Sequence, residues 1–181
     1  MSDTKKDEQV AIFIDGQNLS RSMSEKMDNK FAQVDFDKLI PKIINGRILS
    51  KMVYFTEGNN MSAKFKKRLE SFGAETMTCG KGADVPLAVN ALLTVFFKKV
   101  DTIIIMSGDR DFISLLQALK LFQVKVEICG VDKHTSLDLA SMAYKVHIIK
   151  DEFYIFNPNH NVGPKQIEAG HLETNDENSK Q

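Results

Sequence analysis

Asp15, Asp84, Asp109 and Asp111 fall in three short motifs. These are Phe13-Ile14-Asp15-Gly16-Gln17-Asn18, Lys81-Gly82-Ala83-Asp84-Val85 and Ser107-Gly108-Asp109-Arg110-Asp111. Asp15 and Asp109 each follow a short apolar run that reads as a buried parallel strand. In an open α/β sheet the carboxyl ends of such strands converge on the ligand crevice. Carboxylates gathered there repel one another unless a positive charge joins them. A hard divalent cation prefers oxygen ligands, so the motifs point to a metal site of the kind used in phosphoryl transfer.

Each motif also has a plainer reading. Asp15-Gly16 is a common turn pair, and Asn18 reads either as support for the site or as a helix cap. Asp84 precedes an apolar helix with Pro86 in its first turn, which suits an N-cap. Asp111 alone is most simply an N-cap. Ser107-Gly108-Asp109 is harder to reduce, because the glycine lets the backbone approach a ligand closely. Asn90 lies in the apolar helix and needs partners, either backbone groups or the acidic cluster. Lys64, Lys66, Lys67 and Arg68 form a basic cluster on one helix. Such clusters are usually solvated faces. If the ligand is nucleic acid, these residues with Lys81 and Arg110 are the expected phosphate contacts. The four histidines show no paired spacing.

Apolar strands and amphipathic helices alternate along the chain, which predicts an α/β fold with a mostly parallel sheet covered on both faces. Strands are expected at Val10–Ile14, around Met52–Phe55, and at Ala74–Cys79, Asp101–Met106, Val124–Cys129 and Val146–Ile149. Helices are expected at Asp35–Asn45, Ser62–Phe72, Val85–Phe97, Asp111–Phe122 and near Ser136–Tyr144. Gly73 reads as a left-handed cap. The segment 17–33 reads as a loop or irregular helical insertion. The helix at 85–97 is apolar almost all round, which predicts burial. Residues 1–9 read as a flexible N-terminus, 10–156 as one domain, and the polar stretch 157–181 as a disordered tail.

The 181 residues carry 24 basic and 24 acidic side chains, so no global field draws the protein to a polyanion. A nucleic-acid partner would need a local patch, and a homodimer would lengthen its groove by joining two such patches. Cys79 and Cys129 read as buried thiols of a reducing compartment. No apolar run approaches the roughly 20 residues of a membrane span. Together with the polar N-terminus, these features predict a cytoplasmic protein without a membrane partner. No Gly-x-Gly-x-x-Gly follows the first strand, which argues against a nicotinamide enzyme. A phosphotransferase with Asp15 as nucleophile is disfavoured by Gln17, which stands where a second Asp is commonly found.

In order and separation the three motifs resemble the NYN domain, the LabA-like branch of the PIN-like nuclease superfamily. The matching stretches are Ile14 to Leu19, Lys81 to Ala88, and Ser107 to Phe112 followed by Leu115 and Leu116. The resemblance implies a PIN-like three-layer α/β/α sandwich around a mostly parallel sheet. It also implies an acidic site for Mg²⁺ or Mn²⁺ and, in active members, RNA cleavage. Asp15, Asp84, Asp109 and Asp111 are then the metal-site and catalytic residues, with Asn18, Asn90, Ser107 and Lys81 in support. The family often carries a further acid where this chain has Asn90, and often an Asp where it has Tyr144. The alternative is therefore a catalytically weak or inactive RNA-binding module on the same fold.

Overall fold

Alternation of side chains along β1 (Gln9–Asp15) sends Val10, Ile12 and Ile14 into one apolar cluster and Ala11 and Phe13 into a second. A strand buried on both faces belongs at the centre of a sheet, and β1 is there. The structure, a computed structural model, describes residues 7–30, 32–58 and 61–156. The remaining strands are β2 (Ala32–Val34), β3 (Ile48–Glu57), β4 (Ala74–Cys79), β5 (Thr102–Met106), β6 (Lys125–Val131), β7 (Lys145–Ile149) and β8 (Tyr154–Phe156). Six of them form one sheet in the order β4-β3-β1-β5-β6-β7. Every pairing in it is parallel.

Helices α1 (Gly16–Met27), α2 (Phe36–Ile44) and α3 (Ala63–Ser71) cover the first cluster through residues such as Leu19, Leu39 and Leu69. Helices α4 (Asp84–Phe97), α5 (Ile113–Leu121) and α6 (Leu137–Met142) cover the second through Leu87, Leu115 and Leu139. The result is a three-layer α/β/α sandwich. The chain winds outward from β1 to β3 and β4 on one side, then returns to β5, β6 and β7 on the other. The topological switch point therefore lies between β1 and β5, the place where open α/β sheets bind ligands.

The expected strands and helices are present, and Gly73 is left-handed with φ +76. Pro41 sits inside α2 at an exposed position, where water can serve the carbonyl its missing N–H leaves unpaired.

Three expectations need correction. The segment 17–33 is largely a regular helix, α1, held by the N-cap of Asp15 and the buried face of Leu19, Ser22 and Met23. Helix α4 is not buried all round, since Val85, Val89, Leu93, Phe96 and Phe97 are exposed. Residues 7–9 do not form a free terminus. Gln9 starts β1, and the Gln9 backbone N–H donates to Asp101 Oδ2 at 2.8 Å. A short antiparallel pair, β2 with β8, lies outside the main sheet and was not foreseen. The expected disordered stretch 157–181 lies outside the described residues. Both cysteines are free and buried, and burial, then Glu127, pushes the Cys129 thiol up to about 12. Such thiols pack as inert apolar groups. No helix among the described residues is long and apolar enough to cross a membrane.

Candidate active site

The register pairs Ile14 of β1 with Met106 of β5, so the next residues, Asp15 and Ser107, leave the sheet side by side. Their polar groups form a short chain across the switch point. The Asn18 backbone N–H donates to Asp15 Oδ1 at 3.0 Å, which caps α1. The Ser107 hydroxyl donates to Asp15 Oδ2 at 3.4 Å. The Gly108 N–H donates to Asn18 Oδ1 at 3.0 Å, so Asn18 ties the two strand ends rather than capping a helix. The Asp109 N–H donates to Ser107 Oγ at 3.2 Å. Asp15, Asn18 and Ser107 are all buried. One carboxylate and its two supports are thus held in fixed positions.

Asp109, rather than Asp111, takes the capping position. Asp109 is the cap of the single 3₁₀ turn before α5, and the Asp111 N–H donates to its Oδ1 at 3.1 Å. A strand that ends in Ser-Gly puts the capping position at Asp109, which leaves the Asp111 carboxylate exposed on the turn. Asp84 corrects the cap expectation too. Ala83 holds the cap position with no side-chain bond, and Asp84 is the first helical residue. Its carboxylate is therefore not committed to α4.

The carboxylates sense one another. Burial raises the Asp15 carboxyl, opposed by the N–H of Asn18, and Asp84 and Asp109 push it further up. Burial also raises Asp84, helped by Asp109, Asp111 and Glu57, with Arg21 pulling the other way. Among the described residues none of these acids is in a salt bridge. Glu57, at the end of β3, was missed in the sequence. It accepts from the Gly82 N–H at 2.7 Å. With its amide nitrogen turned toward β3, Gln17 donates to both Glu57 oxygens, at 2.7 and 2.6 Å. A signal for it existed: Glu57-Gly58 ends an apolar run just as Asp15-Gly16 does.

The Asn90 amide nitrogen makes no hydrogen bond to this cluster. It donates to Pro86 O at 2.9 Å and reaches Met77 Sδ at 3.7 Å. Among the described residues, no three Asp, Glu, His or Cys side chains are close enough to hold a metal ion together. The donor set is nonetheless all oxygen and lacks a paired cation. That suits Mg²⁺, which commonly takes one or two carboxylates and completes its shell with water and substrate phosphate.

Two concavities flank the acids. A groove of 720 Å³ runs past Gln17, Tyr54, Glu57 and Phe65. Burial, then Asp15, pushes the Tyr54 hydroxyl up to about 12, so it stays protonated. The ring lies so close over Gly16 that a Cβ there would come within 2.3 Å of it. On the other side a pocket of 340 Å³ is lined by Asn18, Arg21, Asp109, Arg110, Lys133 and His134. Arg110 was expected near the site, whereas Arg21 and Lys133 were not. Lys64 and Lys67 are exposed on α3, whose Phe65 lines the larger groove. Arg68 is engaged by salt bridges to Asp35, at 3.1 Å, and to Asp37. Lys81 is exposed, three residues before Asp84 in the chain.

A family model described as the NYN domain matches residues 9–150. An uncharacterized protein of Methanocaldococcus jannaschii, MJ0482, is 28% identical over 152 residues, which cover 83% of this chain and 59% of that protein. The chain thus spans little more than half the length of that relative. A crystal structure of a protein of unknown function from Vibrio parahaemolyticus, VPA0982, superposes with a TM-score of 0.74 at 24% identity. That match covers 86% of this chain and all of the other, and it shows a shared fold.

Proposed function

The chain belongs to the NYN domain family, and from that membership and the unpaired acids at the switch point we propose that it is a metal-dependent ribonuclease. The observation that carries this reading is electrostatic. Asp15 and Asp84 are both raised by burial and by neighbouring carboxylates, and no cation is ion-paired with them among the described residues. Perturbed carboxylates in a crevice are a mark of functional sites.

Asp15 and Asp109 are the residues to hold Mg²⁺ or Mn²⁺, with Asp84 and Asp111 on the rim. Bound there, the ion supplies positive charge to the phosphate and lowers the pKa of a water. Asn18 and Ser107 hold the Asp15 carboxylate in place. Glu57, fixed by Gly82 and Gln17, adds a further oxygen acceptor at the edge. Arg21, Arg110 and Lys133 offer phosphate contacts on one side, and Lys64, Lys67 and Lys81 on the other.

The second reading, an RNA-binding module without chemistry, is favoured by one observation. Asn90 is spent on Pro86 and brings no charge to the site. The test is cleavage of labelled single-stranded and structured RNAs with Mn²⁺, with Mg²⁺ and with chelator. Metal-dependent cleavage is expected, reduced at least about 100-fold by Asp15→Asn or Asp109→Asn, equivalent to roughly 2.7 kcal/mol of transition-state stabilisation. Full activity in both folded variants would sink the ribonuclease assignment. RNA binding without cleavage under every condition would select the second reading.

A further inference from the structure

A helix that is apolar around its whole circumference is ordinarily buried on all sides. Helix α4 has such a sequence, yet it buries only the face of Leu87, Ala91 and Thr94. On the outer face Val85 is 73% exposed, Val89 and Leu93 46%, Phe96 64% and Phe97 81%. Helical spacing lines these residues up along one side. The end of α5 continues the surface with Leu121, 84% exposed, and Phe122. The rings of Phe96 and Phe122 meet edge-on, with centroids 4.9 Å apart, so the two helices present one continuous patch.

Weighted by exposure, the three phenylalanines at roughly 150–250 Å² each and the four aliphatic side chains at roughly 150 Å² each give at most about 800 Å² of apolar surface. Monomers rarely expose more than a few hundred Å² in one piece. Two such patches pressed together would bury up to about 1,600 Å², the size of a standard stable interface. The charges at the ends of α4 are unlike. Asp84 opens the helix, with Asp109 and Asp111 acting on it, whereas exposed Lys98 and Lys99 follow its last residue.

We propose that the outer face of α4, extended by Leu121 and Phe122, is a homodimer interface in which the two α4 helices pack antiparallel. Antiparallel packing sets the lysine end of each copy against the acidic end of the other, the two ends lying about 21 Å apart along the helix. Parallel packing would set acid against acid. The dimer is tested by mass and the ribonuclease reading by cleavage, so either can fail while the other stands.

The test is sedimentation equilibrium of the full chain from about 1 to about 200 µM, a range that brackets micromolar association. A species of twice the chain mass is expected. Leu93→Glu and Phe97→Glu each alter an exposed side chain and should raise the dimer dissociation constant at least about 100-fold, as loss of a central anchor does. Glu70→Lys, on α3 in the opposite layer, should leave it unchanged. Circular dichroism of each variant shows that the monomer still folds. A wild-type monomer across the whole range overturns the proposal, as does a dimer indifferent to both glutamates. A monomer that dimerises only after removal of residues 157–181 also overturns it, because the chain's own C-terminal segment would then be the occupant.

Discussion

Asp84 opens α4 with a carboxylate that caps nothing and is raised by burial, Asp109, Asp111 and Glu57. A carboxyl raised in the folded state favours its protonated form. Its stabilising contribution is present at acid pH and lost as pH rises through the folded pKa, so at neutral pH its charge opposes folding. Asp84→Asn should therefore raise the melting temperature at pH 7 in chelator, by a few degrees at most because the group is exposed. Added Mn²⁺ should raise the melting temperature of the wild type, since a ligand of the folded state stabilises it. The same Mn²⁺ shift should be smaller in the variant. A variant that melts no higher than wild type and keeps the full Mn²⁺ shift would place Asp84 outside the site. At this scale Asp15, Asp109 and Ser107 were legible because each sits in a short motif at a strand end. Glu57 had only the Glu57-Gly58 pair to mark it, and Arg21 and Lys133 lie in no motif and come near the acids only through the fold.

The loop between β6 and α6 shows how elements place the basic residues. A Cβ on Gly108 would lie 2.3 Å from His134 O and 2.9 Å from Thr135 Cα. The Ser136 N–H donates to Gly108 O at 2.9 Å, so the loop is seated directly on the glycine. This seating brings Lys133 and His134 beside Asp109. Gly108→Ala must push the loop away, and backbone rather than a flexible side chain stands in its path. We expect a loss of about 1–3 kcal/mol in urea unfolding, typical of overpacking. RNA affinity should also fall, with a shallower salt dependence as one or more phosphate contacts are lost. Unchanged stability and salt slope would mean that the loop is not held there. Most elements could be read from apolar periodicity. Helix α1 could not, because its buried face includes Asn18 and Ser22 beside Leu19 and Met23 and so looks polar. Helix α4 read as buried because its sequence carries two apolar faces, only one of which is buried among the described residues.

Across the whole molecule the two ends of the sheet handle charge in opposite ways. At the switch point on the carboxyl edge, Asp15, Asp84, Asp109 and Asp111 have no salt-bridge partner among the described residues. Toward the other edge Glu127 is buried and fully engaged. Arg47 grips both its oxygens, at 2.9 and 3.0 Å, and His147 Nε2 lies 2.7 Å away. Arg47 also donates to the carbonyls of Ile44 and Ile43, at 2.9 and 2.6 Å, locking the end of α2 to β6. Burial alone would raise the Glu127 carboxyl, but the hydrogen bonds from His147 and Arg47 prevail and hold it at about 2, below its ordinary 4.5. A depressed carboxyl stabilises the fold above its unfolded value, so this contribution is lost as pH falls from about 4.5 toward 2. Asp15 and Asp84, raised, have the opposite sign and partly offset the loss on acidification. Glu127→Gln removes the charge and leaves the buried Arg47 with only the more distant Glu8 carboxylate, at 3.7 Å, as counter-ion. Such a broken pair costs about 3–5 kcal/mol, which urea unfolding at pH 7 should register. At pH 3 the gap between wild type and variant should narrow, because the wild type has already lost part of what the variant lacks. An equal gap at both pH values would show that the Glu127 charge does not hold the two halves of the sheet together.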